Sequence, residues 1–214
     1  MIARYHRLMT IEALQGEFSE SALKVIVRSN LGQDNIRGQI GHPEFHFDDS
    51  QIKAATEYIE LQRRLVVENL DEQQVRLISW EAFGRLTHAA QDFYAHTNYI
   101  KMWLEQNRPA NNPADIDFWN EQLINNPALF SGRFYVPREP LSMLPLVGKY
   151  FKNGLPRDSH AWMNLDSPER GHLFEYARQA AIKRTRFELQ KTVKVLENQP
   201  DAARKIASFR DLSG

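Results

Sequence analysis

His88, Asp92 and His96 recur every four residues in GRLTHAAQDFYAHTNYI, residues 84–100, and that interval constrains the chain more than any other feature. Four residues advance an α-helix by about 400°, so the three side chains stand nearly one above another on a single face. Imidazole and carboxylate are the usual nitrogen and oxygen ligands of zinc, and a His and an Asp at this spacing can grip one ion together. His96 lies about 12 Å of helix rise beyond His88, whereas zinc–ligand bonds are about 2 Å. If all three side chains hold metal, they serve more than one ion, and metal-dependent hydrolysis is the leading expectation. The alternative for each is an ordinary hydrogen-bonded or surface side chain. The aromatics Phe83, Phe93, Tyr94 and Tyr99 around them read first as core.

The rest of the chain supplies a helical frame. Helical periodicity dominates and strand-like alternation is scarce, which predicts an all-α fold in a single multi-helix domain over 1–214. Helices are expected at about 3–15, 19–31 (with Ser19 as N-cap), 50–70, 73–103, 168–196 and 200–211. Pro168 should open the first turn of the penultimate helix and Pro200 should mark the last break. Residues 32–49 are glycine-punctuated. Residues 104–157 carry seven prolines and read as an irregular loop insert with one short helix near 115–125 opened by Asp115. A loop of that length is uncommon without a task such as covering a site.

Of 214 residues, 27 basic and 27 acidic side chains cancel, which argues against a binder that relies on a broad basic surface. No cysteine is present, so any metal must be held by nitrogen and oxygen. The N-terminus MIARYHRLMTIEAL has no apolar core of a signal peptide, and no apolar run reaches about 18 residues, so no transmembrane helix is expected. Cytoplasm is the default compartment, with export lacking a cleaved signal as the alternative. The run Lys183-Arg184-Thr185-Arg186 reads as a solvated helix face, and His42 and His172 as surface residues.

Four segments carry a resemblance. LTHAAQDFYAHTNYI, PEFHFDDS, HRLMTIEAL and SHAWMNLDSP resemble, in the same order, motifs of the zinc-dependent phospholipase C and single-strand nuclease superfamily. Within it the likeness is greatest to the heterokaryon-incompatibility C proteins; the proline-rich segment lies outside it. The resemblance implies a helical fold around two or three zinc ions. Asp34, His46, His88 and Asp92 would hold the first. His96 and His160 with one carboxylate would hold the second, and His6 with a bridging Asp92 would serve a third. Asn164 stands where the phospholipases place their carboxylate, which makes Asp166 the last ligand and Glu175 its runner-up.

The implied activity is hydrolysis of a phosphodiester, phospholipid or nucleic acid, by metal-activated water, with Asp34 as proton acceptor. A lipid substrate would favour an apolar rim from Leu141, Met143, Leu144, Leu146, Val147, Tyr150 and Phe151. A nucleic acid would favour stacking on Tyr99, Trp103 and Trp162. The competing expectations are a metal-stabilised interaction protein without turnover and a metal-free helical scaffold.

Overall fold

The computed structural model describes residues 1–39, 41–70, 76–142 and 148–212. Among them the fold is all-helical, with no strand. The helices are α1 (Ala3–Leu14), α2 (Glu20–Gly32), α3 (Ile36–Gln39), α4 (Pro43–His46), α5 (Ile52–Glu68), α6 (Arg76–His96), α7 (Tyr99–Gln106), α8 (Glu121–Ile124), α9 (Arg138–Ser142), α10 (Gly148–Asn153), α11 (His160–Met163), α12 (Leu173–Glu197) and α13 (Ala202–Arg210). Single 3₁₀ turns cover Pro113–Asp115 and Pro168–Arg170.

The helix α6 is the axis of the bundle, packed between α2, α5 and α12, while α1 lies across α2 and α12. Nearly every residue from Ala82 to His96 is buried, so this helix has no solvated face over its second half. A helix enclosed on all sides is ordinarily apolar all round. Here Thr87, His88, Gln91, Asp92 and His96 are enclosed with the apolar residues, and each needs a partner inside the protein. Gly84 lets α2 come close, because a Cβ there would lie 2.4 Å from the Ile26 carbonyl oxygen. The predicted core aromatics Phe83, Phe93, Tyr94 and Tyr99 are all buried.

Three helix boundaries differ from the sequence expectation. The helix expected over 73–103 is two, broken at Thr97-Asn98; its expected first residues, 73–75, lie outside the described residues. The last carbonyls of α6 turn outward to other segments: Leu165 N–H donates to Ala95 O at 2.8 Å and Gly132 N–H to His96 O at 3.0 Å. Those bonds replace the next helical turn. Asp115 ends a 3₁₀ turn rather than opening a helix; Asn120 caps α8 by accepting from Gln122 and Leu123 N–H. Pro168 likewise opens a separate turn, and α12 begins only after Gly171, whose φ of +100° breaks the path. Ser19 caps α2 as expected, accepting from Ala22 N–H at 3.1 Å.

The run 183–186 is not a solvated face. Arg184 and Thr185 are buried, and Arg184 Nε donates to Glu188 at 2.5 Å while Arg63 Nη2 donates to the other Glu188 oxygen at 2.6 Å. The buried cationic pair shares one buried carboxylate, and the Arg184 guanidinium also lies 4.2 Å from the Trp119 ring centre. A lone buried charge would be costly, and this arrangement leaves none.

Candidate metal centre

The expected site residues come from five separate parts of the chain. His6 stands on α1, and Asp34 two residues past α2. His46 ends α4, His88, Asp92 and His96 lie on α6, and His160 opens α11 ahead of Asp166. The fold gathers them into one cluster, with Asp92 at its centre and His160 at its edge beside His96. Asp92 Oδ2 lies 3.0 Å from both His46 Nδ1 and His88 Nε2, which are 3.1 Å from each other, and Asp34 Oδ1 is 3.7 Å from His88 Nε2. Asp92 Oδ1 lies 3.1 Å from His6 Nε2 and 3.8 Å from His96 Nε2, and His96 Nε2 is 3.2 Å from Asp166 Oδ1. The Met1 amino group sits among this second set, 2.5 Å from Asp92 Oδ1 and 3.3 Å from Asp166 Oδ1. Thus the two oxygens of one carboxylate face two clusters, and His88 and His96 fall on opposite sides of it. A tetrahedral ion with bonds of about 2.0 Å keeps its ligand atoms about 3.3 Å apart, close to these spacings.

The hydrogen-bond network assigns the tautomer of His6. Thr185 Oγ1 donates to the Ala181 carbonyl and therefore accepts from Gln91 Nε2 at 3.1 Å. The Gln91 oxygen is thus the acceptor facing His6 Nδ1 at 2.7 Å, and Nδ1 must carry the proton. The bare lone pair of Nε2 then faces Asp92 Oδ1, and Nε2 makes no hydrogen bond. Two electron-rich buried atoms 3.1 Å apart are repulsive unless a cation lies against them, and the Met1 ammonium on Asp92 Oδ1 occupies that role here.

His96 follows the same logic: its Nδ1 is 2.8 Å from the His46 carbonyl, which can only accept, so Nε2 is the nitrogen turned to Asp166, 3.2 Å away. Simple proximity groups His96 with Asp48 and His160, at 3.6 Å from its Nδ1 to Asp48. We assign it instead to Asp92 and Asp166, because the backbone carbonyl already takes the Nδ1 proton.

Asp48 is the residue that sequence reasoning missed. Its Oδ1 lies 2.9 Å from His160 Nδ1, the arrangement in which a carboxylate orients a histidine whose other nitrogen is free to bind. It is aimed inward by a left-handed coil: Phe47, Asp49 and Ser50 have φ of 55°, 54° and 55°. Each costs on the order of 1 kcal/mol for a non-glycine residue. Five bonds to one neighbouring segment hold the coil: Asp49 N–H to Gly132 O, Ser50 N–H to Ser131 Oγ, Ser50 Oγ to Ser131 O, Ser131 N–H to Ser50 Oγ and Phe134 N–H to Asp49 Oδ1. Gly132 is required there, since a Cβ would lie 2.7 Å from His160 Cα.

The electrostatics favour cations. Burial, and then the neighbouring His6, lower the His88 pKa to about 4, so its ring is neutral at neutral pH. Burial also lowers His6. Burial opposes the charge on His160 too, but Asp48 overcomes it and raises the pKa to about 9. In His46 the Asp92 carboxylate outweighs burial in the same direction. Asp92 and Asp166 are buried, which favours the neutral acid, yet the adjacent ammonium and histidines hold both well below the usual carboxylate range.

A cavity of about 410 Å³ opens onto the cluster, lined by Asp34, His46, Asp48, His96, His160 and Asp166 among others. His6, His88 and Asp92 are sealed behind it, fully buried. Asn164 faces the same cavity. The runner-up ligand Glu175 is elsewhere, bonded to Arg178 and Gln179. His42 pairs with Glu44 on the surface, and His172 is exposed ahead of α12. Tyr99 and Trp103, expected as stacking platforms, are core residues. Of the expected apolar rim, Met143, Leu144, Leu146 and Val147 lie outside the described residues. No described helix is long and apolar enough to cross a membrane.

Comparison with known proteins corrects the family expectation. The family model described as the VWA7 N-terminal domain matches residues 5–120. The von Willebrand factor A domain-containing protein 7 of Rattus norvegicus is 24% identical over 140 residues, 64% of this chain and 15% of that protein. The chain therefore spans only a small part of the curated relative it matches. No solved structure matches.

The likeness to the phospholipase C, nuclease and heterokaryon-incompatibility C proteins is overturned by this match. It rested on four short segments whose His/Asp spacing is shared by any helix that gathers such side chains on one face. With it fall phosphodiester hydrolysis, nuclease action, the Het-C-like recognition role and the choice of zinc that the likeness implied. The family match runs through His6, Asp34, His46, His88, Asp92 and His96, and stops before His160 and Asp166. By this match the chain belongs to the VWA7 N-terminal domain family.

Proposed function

We propose that this chain is a divalent-metal-binding domain whose residues would hold two ions, with Asp92 contributing one oxygen to each. Asp34, His46, His88 and Asp92 Oδ2 would hold one; His6, His96, Asp166 and Asp92 Oδ1 would hold the other, with His160 oriented by Asp48 beside them. The observation that carries this reading is the division of the Asp92 oxygens between two histidine sets, with the His6 lone pair turned onto one of them. The donor set of imidazole and carboxylate suits first-row divalent metals, and selection among them depends on geometry and supply. An ion there would act as a Lewis acid toward a ligand oxygen entering from the cavity. The chain's own residues set the ligand orientation: the Gln91 amide fixes His6, the His46 carbonyl fixes His96, and Asp48 fixes His160.

The test is metal content per chain by elemental analysis, on protein purified without a polyhistidine tag or chelator, followed by titration of the stripped protein with manganese, cobalt and zinc salts. About two equivalents, with His88→Ala and His96→Ala each losing a different one, is the expected result. Stripped protein that takes up none of the three metals refutes the reading.

A further inference from the structure

The cavity above the metal centre carries two cations that the proposed metal function leaves unexplained. Lys152, near the end of α10, and Arg170, at the end of the 3₁₀ turn Pro168–Arg170, both line it. Neither has a carboxylate within ion-pair distance among the described residues, although Glu139 and Asp166 are near enough to act on the Lys152 charge. Arg170 Nη1 donates to the Ala161 carbonyl at 3.1 Å, and the Lys152 ammonium lies 4.6 Å from the Trp162 ring centre. The Trp162 ring is itself pinned, its Nε1 donating to the Lys152 carbonyl at 3.1 Å. Both cations are thus backed by the α11 segment that also carries His160.

Charge accounting says what they await. Asp34, Asp48, Asp92 and Asp166 bring four negative charges to the cluster, and in the absence of metal these balance Lys152, Arg170, the Met1 ammonium and protonated imidazoles. Two divalent ions would neutralise the four carboxylates and leave Lys152 and Arg170 in surplus within one partly enclosed space. Burial, and after it the nearness of Arg170, lower the Lys152 pKa, in keeping with two like charges that share a field. Guanidinium and ammonium groups converging beside a metal centre fit an oxyanion, which accepts from both and completes a metal ion's coordination. The space of about 410 Å³ is that of a small-molecule site, and two cations make no stripe along which a polymer backbone could run.

We infer that Lys152 and Arg170 form an oxyanion subsite of this cavity, which takes the carboxylate or phosphate head of a small molecule whose oxygen also reaches the metal centre. This rests on the metal reading above, and it makes anion and metal mutually dependent ligands: each tightens the other by the same factor.

The experiment is calorimetric titration of the protein with inorganic phosphate, and separately with acetate, before and after metal loading, with metal content verified by elemental analysis before and after each titration. Anion binding at least tenfold tighter to the loaded protein is expected, and the ratio of phosphate to acetate affinity, compared with that of the Lys152→Gln variant, shows which head group the subsite prefers. Lys152→Gln removes a charge that no hydrogen bond ties to the fold; it should weaken the anion at least tenfold with metal content unchanged. Arg170→Lys, which keeps a cation, should weaken it less than Arg170→Gln.

Loaded protein that binds neither anion overturns the inference and leaves the metal reading standing. So does loaded protein that binds them equally in wild type and in the Lys152→Gln, Arg170→Gln double variant. Protein that takes up no metal refutes the metal reading and this inference with it.

Discussion

Gln91 determines which nitrogen His6 presents. Its amide oxygen, 2.7 Å from His6 Nδ1, accepts that proton because its amide nitrogen is already committed to Thr10 and Thr185. Replacing Gln91 with Leu keeps the bulk and removes the hydrogen bonds, leaving several buried groups unpaired at about 1–3 kcal/mol each. Urea denaturation of the variant should show a loss of about 2–4 kcal/mol after partial relaxation, and metal uptake at the His6 side should weaken about 10–100-fold. A variant with wild-type stability and uptake would show that the amide does not orient this histidine.

Asp92→Asn tests the bridge. The amide is nearly isosteric, but one of its ends donates where a lone pair is needed. Loss of both metal equivalents is expected; loss of one only would mean that Asp92 serves a single ion.

Metal removal should lower the melting temperature. A ligand that binds only the folded state stabilises by about 2.7 kcal/mol at a hundredfold excess over its Kd. Chelator should therefore shift the thermal melt of wild type downward and leave that of Asp92→Asn unmoved. Equal shifts in both would place the stabilising ion elsewhere.

The pH dependence follows from His160. Its pKa in the fold is about 9, against 6.5 for the free side chain. In metal-free protein its contribution to stability is complete below pH 6.5 and is lost as the pH rises through 9. Divalent ions seated beside His160 would repel its extra proton, so apparent metal affinity should climb over that window, with proton release visible when calorimetry is repeated in buffers of different ionisation enthalpy. Affinity that is flat between pH 6.5 and 9 contradicts this.

Glu188 offers a control remote from the metal centre. Glu188→Ala leaves the buried Arg184 guanidinium without its carboxylate and Arg63 with Glu60 alone, and should cost about 3–5 kcal/mol in chemical denaturation. Metal stoichiometry in the protein that remains folded should stay at the wild-type value.

The residues on regular helix are the part most legible in the sequence. The interval of four from His88 through Asp92 to His96 places His88 and His96 on opposite sides of one carboxylate, because helix rise is fixed. Asp48 is illegible for the opposite reason. It is aimed by three departures into left-handed backbone on either side of it, at Phe47, Asp49 and Ser50, which no hydrophobic period reports, and by contacts with residues 131–134 far along the chain. The break at Thr97-Asn98 hides likewise, since the groups that end α6 are the N–H donors of Gly132 and Leu165. Arg184 reads as solvent-facing until Arg63, from another helix, shares its carboxylate. Family membership needed the whole of 5–120 and could not be read from four short motifs.

The placement of Asp92 between His6 and Asp166 has a mechanical consequence. A cation seated there would tie α1 to the segment after α11, closing a loop of about 160 residues in a chain that contains no cysteine. It would do the work of a disulfide, but as a pin that competing ligands and acid can draw out. The tightness of the fold would then follow the supply of metal in its surroundings.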